Sequence, residues 1–303
     1  MSQSLVPLPK SLLDNMVQFK KKSPIAFATT FYPMPDSYIN DFFESLNNQS
    51  YKEFDLFVLN DNYGSIDKYI SRYPNLNIVE LEYSNTPAKN REFLLRFIKK
   101  ASYDIIILGD SDDVFDTKRI ETSIDKLNLA DIVVNDVSIF DTNGYSTEYY
   151  LSNRIENNSI IDIDFIRTKN IFGLSNTAFK LNIIDTIEFE NNIVALDWYL
   201  FSLLLLNNSK AIFTCDTYTD YRQHNENTVG LSCFTNQKLI TAASIKLQHY
   251  KLLAKANKNY SLLANKTKHY LDKLEDIDFL NHEVKHNNAQ LKFPLWWEYL
   301  IDE

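Results

Sequence analysis

Glycine is scarce in this chain: only five occur in 303 residues, at positions 64, 109, 144, 173 and 230, and none are spaced as G-x-G-x-x-G or as a P-loop. Dinucleotide and P-loop sites need glycines where backbone amides approach phosphate, so both classes are disfavoured. A phosphate bound here must instead be neutralised mainly by a cation held on carboxylates. Cysteine is almost absent, with Cys215 and Cys233 alone, so no disulfide framework is expected. No hydrophobic leader precedes the first apolar segment, which together with the cysteine count points to a reducing, cytoplasmic setting. Long apolar runs are missing too. The longest, residues 193–206, is interrupted by Asp197 and reads as a buried helix rather than a membrane span. There is no basic excess: 31 Lys and Arg against 40 Asp and Glu give a net charge of −9, which leaves no footprint for nucleic acid over the whole molecule.

What is present is the composition of a folded protein, 45% hydrophobic and 14% aromatic, long enough for one large domain or a main domain with an appendage. The chain is organised around residues 104–115, where the apolar run Ile105-Ile106-Ile107-Leu108 breaks at Gly109 into Asp110, Ser111, Asp112 and Asp113. Carboxylates crowded at a strand end repel one another unless a cation or a polyhydroxylated ligand offsets the repulsion. Oxygen-only ligands of this kind suit Mg²⁺ or Mn²⁺. A polar loop that caps the following helix is the simpler alternative.

Upstream, apolar runs at 25–30, 54–59 and 76–81 alternate with helical patterns at 38–46 and 66–70 and with a helix opening at Pro87. Strand and helix in units of this length predict a parallel sheet with right-handed crossovers, whose ligands sit beyond the carboxyl ends of the strands. Thr29, Asp61 and Asp112 fall at those ends, although Thr29 can equally satisfy a strand terminus and Asn60-Asp61-Asn62 a turn. Downstream the pattern predicts a helix at 117–127, strands at 132–137 and 211–214, and a helix opened by Leu196-Asp197-Trp198. Asp197 then lies at the positive end of a helix, where a carboxylate is stabilised as the anion or serves as a cap. His224 is a metal or phosphate ligand, or a structural histidine.

From Asn236 the chain turns helical, with Leu239, Ala243, Leu247, Tyr250 and Ala254 spaced to pack on the main domain. Between Lys238 and Lys273 there are eight lysines and one acid, Asp272. A solvated helix face is the expected reading, with docking on an anionic membrane, helped by Trp296 and Trp297, as the second. His282-Glu283-Val284-Lys285-His286 matches H-E-x-x-H, but its polar surroundings and its place near the end of the chain argue against a dry catalytic zinc site.

In order, the motifs are Thr30-Phe31-Tyr32, Ser45-Leu46-Asn47-Asn48-Gln49-Ser50-Tyr51, Asn60-Asp61-Asn62, Ala88-Lys89-Asn90-Arg91, Leu108-Gly109-Asp110-Ser111-Asp112-Asp113, the stretch from Gly173 to Lys180, Asp197-Trp198 and Tyr221-Arg222-Gln223-His224. This combination resembles glycosyltransferase family 2, inverting enzymes of the GT-A fold, and its last two motifs resemble bacterial rhamnosyltransferase-like members. The resemblance covers about residues 24–230. It implies an α/β GT-A fold, Rossmann-like with a mostly parallel central sheet flanked by helices, over residues 1–235, followed by a C-terminal helical extension over 236–303. It also implies transfer of a sugar from a UDP- or dTDP-linked donor to a hydroxyl of a glycan, lipid-linked glycan or protein-linked glycan, assisted by Mn²⁺ or Mg²⁺. On that resemblance Asp112, Asp113 and His224 would hold the metal. Thr29, Thr30, Tyr32, Asn60, Asp61, Arg91, Asp110, Ser111 and Arg222 would bind the nucleotide sugar. Gly173, Asn176 and Trp198 would lie on the acceptor side, and Asp197 would be the general base. Asn60 stands where the family commonly has Asp, although its carbonyl can still accept from a base N3–H. A metal-dependent nucleotidyltransferase and a non-catalytic binding protein on the same fold are the other readings.

Overall fold

The computed structural model describes residues 20–141, 144–223, 234–290 and 293–298. Strands β1 (Ile25–Phe31) and β2 (Asp55–Asn60) are buried at every position, which is why they read as continuous apolar runs rather than as alternating ones. With β3 (Asn77–Glu82) and β4 (Ile105–Leu108) they form a parallel array in the order β3-β2-β1-β4. The crossovers contain α1 (Asp36–Asn47), α2 (Asp67–Arg72) and α3 (Pro87–Lys100). Helix α3 starts where its sequence requires: the Thr86 hydroxyl accepts the Lys89 amide, and Pro87 occupies the first turn, where its missing N–H costs nothing.

After β4 come β5 (Val114–Phe115), α4 (Arg119–Leu127), β6 (Ile132–Asp141), β7 (Gly144–Thr147), β8 (Ile160–Ile161), β9 (Thr177–Lys180), α5 (Leu196–Leu206) and β10 (Ala211–Arg222). The sheet continues as β4-β9-β6-β10-β5, with β9 inserted antiparallel to both β4 and β6. Strand β10 is longer than the 211–214 expected. It shifts register between Thr214 and Tyr218 and continues parallel to β6, bringing Tyr221 and Arg222 to the edge where β4 ends. Hydrophobic clusters fill both faces of the sheet, one around Phe57, Phe97 and Phe201 and the other around Phe27, Phe42 and Phe115.

The C-terminal part is helical, as expected: α6 (Asn236–Ala256), α7 (Tyr260–Lys273) and α8 (Ile277–Gln290). The stripe on α6 splits between two jobs. Leu239 and Ala243 pack with Tyr270, Leu274 and Leu280 of the neighbouring helices, whereas Tyr250 joins the main core. Of the eight lysines in this region, Lys246 is buried rather than surface-exposed. Glu283 of the H-E-x-x-H stretch points inward and accepts the Tyr270 hydroxyl at 2.9 Å, so it is not presented to a ligand between the histidines. Among the described residues no helix is long and apolar enough to cross a membrane.

Gly109 turns the chain from β4 into the carboxylate loop against two aromatic rings. A Cβ there would lie 2.6 Å from Cζ of Phe115 and would also collide with the Phe27 ring. Gly109→Ala is expected to lower stability by about 1–3 kcal/mol in chemical denaturation, the usual cost of overpacking a filled core.

Candidate active site

The carboxyl ends of β1, β2 and β4, the first turn of α5 and the C-terminal segment 293–298 enclose a cleft of about 540 Å³. One half is acidic. Asp110 and Asp112 lie on its wall, with Tyr32 beside them, its hydroxyl 3.5 Å from Asp112 Oδ2. Burial, and then the charges of the three neighbouring aspartates, push the Tyr32 phenol far up, so it remains protonated. Asp110 pairs with Arg91 from α3. Burial still raises the Asp110 pKa against that cation, and repulsion from Asp112 adds to the rise. Asp61, after β2, is held by the Asn90 amide at 2.7 Å and lines the same cleft as Thr30.

Several expected site residues stand behind this wall rather than on it. Asn60 donates to the Gly64 carbonyl at 2.7 Å and to Glu80 at 2.6 Å, and accepts the Tyr63 amide at 2.9 Å, so its side chain organises the loop that presents Asp61. Thr29 is enclosed within β1, and Ser111 donates to the Thr30 carbonyl at 2.8 Å. Asp113 is buried and accepts the Arg222 backbone amide at 2.8 Å, and burial raises its pKa well above the usual carboxylate range. Arg222 donates through Nε to the Asp112 carbonyl at 2.7 Å, pairs with Asp41 at 2.8 Å and lies over the rings of Tyr38 and Phe140. It fixes the backbone of the carboxylate loop from behind. His224 lies outside the described residues.

Asp197 is set on the cleft by the first turn of α5. Its Oδ1 accepts the Trp198 amide at 2.7 Å and its Oδ2 the Asn170 side-chain amide at 3.2 Å. The helix-start position alone predicts a stabilised anion. The structure reverses that expectation, because burial outweighs the two N–H donors and, with repulsion from Asp110, raises the Asp197 pKa to about 7. Gly173 and Asn176 also line the cleft, but the Asn176 amide is engaged by the Asn135 carbonyl and the Gly173 amide, so it shapes the loop. Trp198 faces the interior. Its indole donates to the Ile166 carbonyl at 2.7 Å and stacks on His249 of α6 at 3.7 Å.

Sequence reasoning assigned no site role to Asn90, Asn170 or Ser175, nor a cleft position to Trp296 and Trp297, all of which line the cleft or fix its side chains. Asn90 was one helical position from Arg91 and could have been found. Asn170 has no local signal, since its role depends on residues 27 positions away.

Among the described residues no three His, Cys, Asp or Glu side chains are gathered as a metal cluster. Asp112, with Asp110 beside it, nevertheless supplies hard oxygen donors in a region of mutual carboxylate repulsion. That donor set fits Mg²⁺ or Mn²⁺.

A mostly parallel α/β sheet with an acidic cleft at its carboxyl edge and an aspartate facing it from a helix start is the arrangement of the GT-A fold. The sequence profile of glycosyl transferase family 2 matches residues 30–187, and the chain belongs to that family. Its fold is similar to that of S. aureus TarS 1-349 in complex with UDP-GlcNAc (18% identity over 78% of this chain and 72% of that one, TM-score 0.52). It is also similar to the mannosyltransferase PcManGT from Pyrobaculum calidifontis in complex with GDP-Man and Mn²⁺ (14% identity, 86% and 76%, TM-score 0.56). GalNAc-T7 with UDP, GalNAc and Mn²⁺ is a third neighbour (8% identity, 89% and 58%, TM-score 0.54). At these identities the likeness is one of fold. No curated protein sequence matches the chain.

Arg222 ties the Asp112 backbone to α1, and its loss would take the Nε donor from the Asp112 carbonyl and the cation from Asp41. Arg222→Ala is expected to cost about 1–3 kcal/mol and to speed hydrogen exchange at residues 111–114 more than elsewhere on the sheet, as read by mass spectrometry.

Proposed function

We propose that this glycosyltransferase moves a sugar from a nucleoside-diphosphate donor, UDP- or dTDP-linked, to a hydroxyl of a glycan or glycoconjugate, with inversion at the anomeric carbon. The observation that carries this reading is one cleft holding both the Asp110–Asp112 wall and Asp197, a carboxylate whose pKa of about 7 suits it to take a proton near neutral pH. The nucleotide-sugar complexes named for TarS and PcManGT support the donor class.

In this mechanism Asp61, steadied by Asn90, and Thr30, whose buried hydroxyl oxygen has no hydrogen-bond partner among the described residues, receive the nucleoside. Among the described residues Arg91 Nη1 has no partner while Nη2 holds Asp110, which leaves a donor for the diphosphate. The acceptor hydroxyl gives its proton to Asp197 as its oxygen bonds to the anomeric carbon. The bond from that carbon to the diphosphate breaks, and its electron pair leaves with the nucleoside diphosphate. A Mg²⁺ or Mn²⁺ ion on Asp112 would offset the charge gathering on that leaving group. Asp113, Ser111, Asn60 and Arg222 act through the loops they hold. Nucleotide sugars of this kind are cytoplasmic metabolites, which agrees with a cytoplasmic enzyme. The exposed lysines of α6 and α7 leave room for peripheral attachment to an anionic membrane.

The test is nucleoside-diphosphate release from a panel of sugar nucleotides with Mn²⁺, Mg²⁺ or chelator, in which water can replace the acceptor. Metal-dependent release with a preferred donor is expected. Asp112→Asn should lower it by roughly tenfold or more, and Asp197→Asn should lower transfer by about 10²- to 10⁴-fold. No release with any donor, and no metal-dependent nucleotide binding, would defeat the proposal.

The Asp197 pKa also sets a pH dependence. The base must be ionised, and its pKa is raised, so activity should climb about tenfold per pH unit below about 7 and level off above it. Asn170→Ala removes a donor that favours the anion and should move this limb to higher pH, as measured by kcat/KM profiles.

A further inference from the structure

Besides its carboxylates the cleft has an aromatic lining, and part of it comes from residues beyond the family match at 30–187. Tyr221, at the end of β10, meets Trp296 edge to face at 5.9 Å, and Trp297, Val194 and Leu196 also line the cleft. The segment that brings the two tryptophans here is firmly fastened. The Tyr150 hydroxyl donates to the Pro294 carbonyl at 2.8 Å, the Asn170 amide donates to the Trp296 carbonyl at 2.8 Å, and Arg154 pairs with Glu298. Phe293 and Trp297 both adopt positive φ, 51° and 63°. Bulky aromatic residues take that conformation only where the surroundings over-determine it, and such strain gathers at ligand sites.

Asn170 joins this wall to the base. Its main chain holds Trp296 while its side chain donates to Asp197. An aromatic surface is thereby held in register with the carboxylate that receives the acceptor proton.

We infer that this wall is the acceptor subsite and that it takes a pyranose ring, laid by its C–H face against Trp296 and Tyr221 with one hydroxyl delivered to Asp197. The inference rests on the transferase reading above. A pyranose has a flat apolar face and a rim of hydroxyls, which matches an aromatic wall that gives way to Asp197 and Asp110 within one cleft. A polyprenyl or acyl chain would need apolar surroundings on every side, and the carboxylates deny it that. Trp296 and Trp297 thus serve the cleft rather than a membrane surface.

The test measures nucleoside-diphosphate release from the preferred donor while methyl pyranosides and short oligosaccharides are titrated in, for the wild type, Trp296→Ala and Trp296→Phe. At least one saccharide should stimulate the wild type. Its half-saturating concentration should rise roughly tenfold or more in Trp296→Ala and return to within about threefold in Trp296→Phe, with a much smaller change in the donor KM. The inference is overturned if no saccharide stimulates the wild type, if only a polyisoprenyl phosphate does, or if Trp296→Ala leaves the saccharide half-saturation unchanged. It is also overturned if donor and acceptor constants rise together, as a structural defect would make them. Absence of release from every donor by the wild type is a separate outcome, which removes the transferase reading itself and this subsite with it.

Discussion

Carboxylate crowding at the carboxyl edge of β4 is the constraint that the rest of the site accommodates. Asp110, Asp112 and Asp113 share one turn, and burial raises the pKa of Asp110 and Asp113 on top of their mutual repulsion. Cationic side chains of two different elements restrain the turn. Arg91 of α3 pairs with Asp110, and Arg222 at the end of β10 holds the Asp112 carbonyl, while its own amide donates to Asp113 Oδ1. The acidic turn therefore depends on non-local arginines for its shape. Its surplus negative charge is left facing the cleft, where a cation or the cation-bearing face of a ligand would relieve it.

This division of labour explains what the sequence could reveal. Asp61, Asp110, Asp112 and Asp197 were legible because strand ends and helix starts impose position without tertiary information, and those positions project into the crevice of a parallel sheet, whereas Arg91 was legible only through the family motif Ala88-Lys89-Asn90-Arg91. Asn60, Ser111, Asp113, Arg222 and Trp198 have residue types suited to binding, yet the structure uses them to satisfy backbone groups or fill space. Which way such a side chain turns is decided by donors and acceptors brought from elsewhere in the chain, and no local pattern encodes that choice.

The fold was legible on the same terms. The first four strands declared themselves through apolar runs at regular spacing. Strand β9, only four residues long, carried no such period, and its antiparallel insertion between β4 and β6 follows from pairing alone. Strand β10 was underestimated because Asp216 and Asp220 interrupt its apolar pattern, although the ladder with β6 resumes past the bulge at Tyr218. Tertiary pairing overrode local composition at both places.

The placement of Asp197 shows why the C-terminal helices belong to the account of the site. Asp197 opens α5, and the next residue, Trp198, is buried and stacked on His249 of α6, whose ring nitrogens have no hydrogen-bond partner among the described residues. Burial, followed by the charge of Lys246, pushes the His249 pKa well down, so the imidazole is a neutral plate against the indole rather than a competing charge near the carboxylate. A cation there would favour the Asp197 anion and draw its pKa below the range useful to a base at neutral pH. A neutral, well-packed support leaves burial, opposed by the Trp198 amide and reinforced by Asp110, to set that value. The chain beyond the family match thus meets the cleft twice: from behind, where His249 of α6 backs the start of α5, and from the front, where Trp296 lines the cleft.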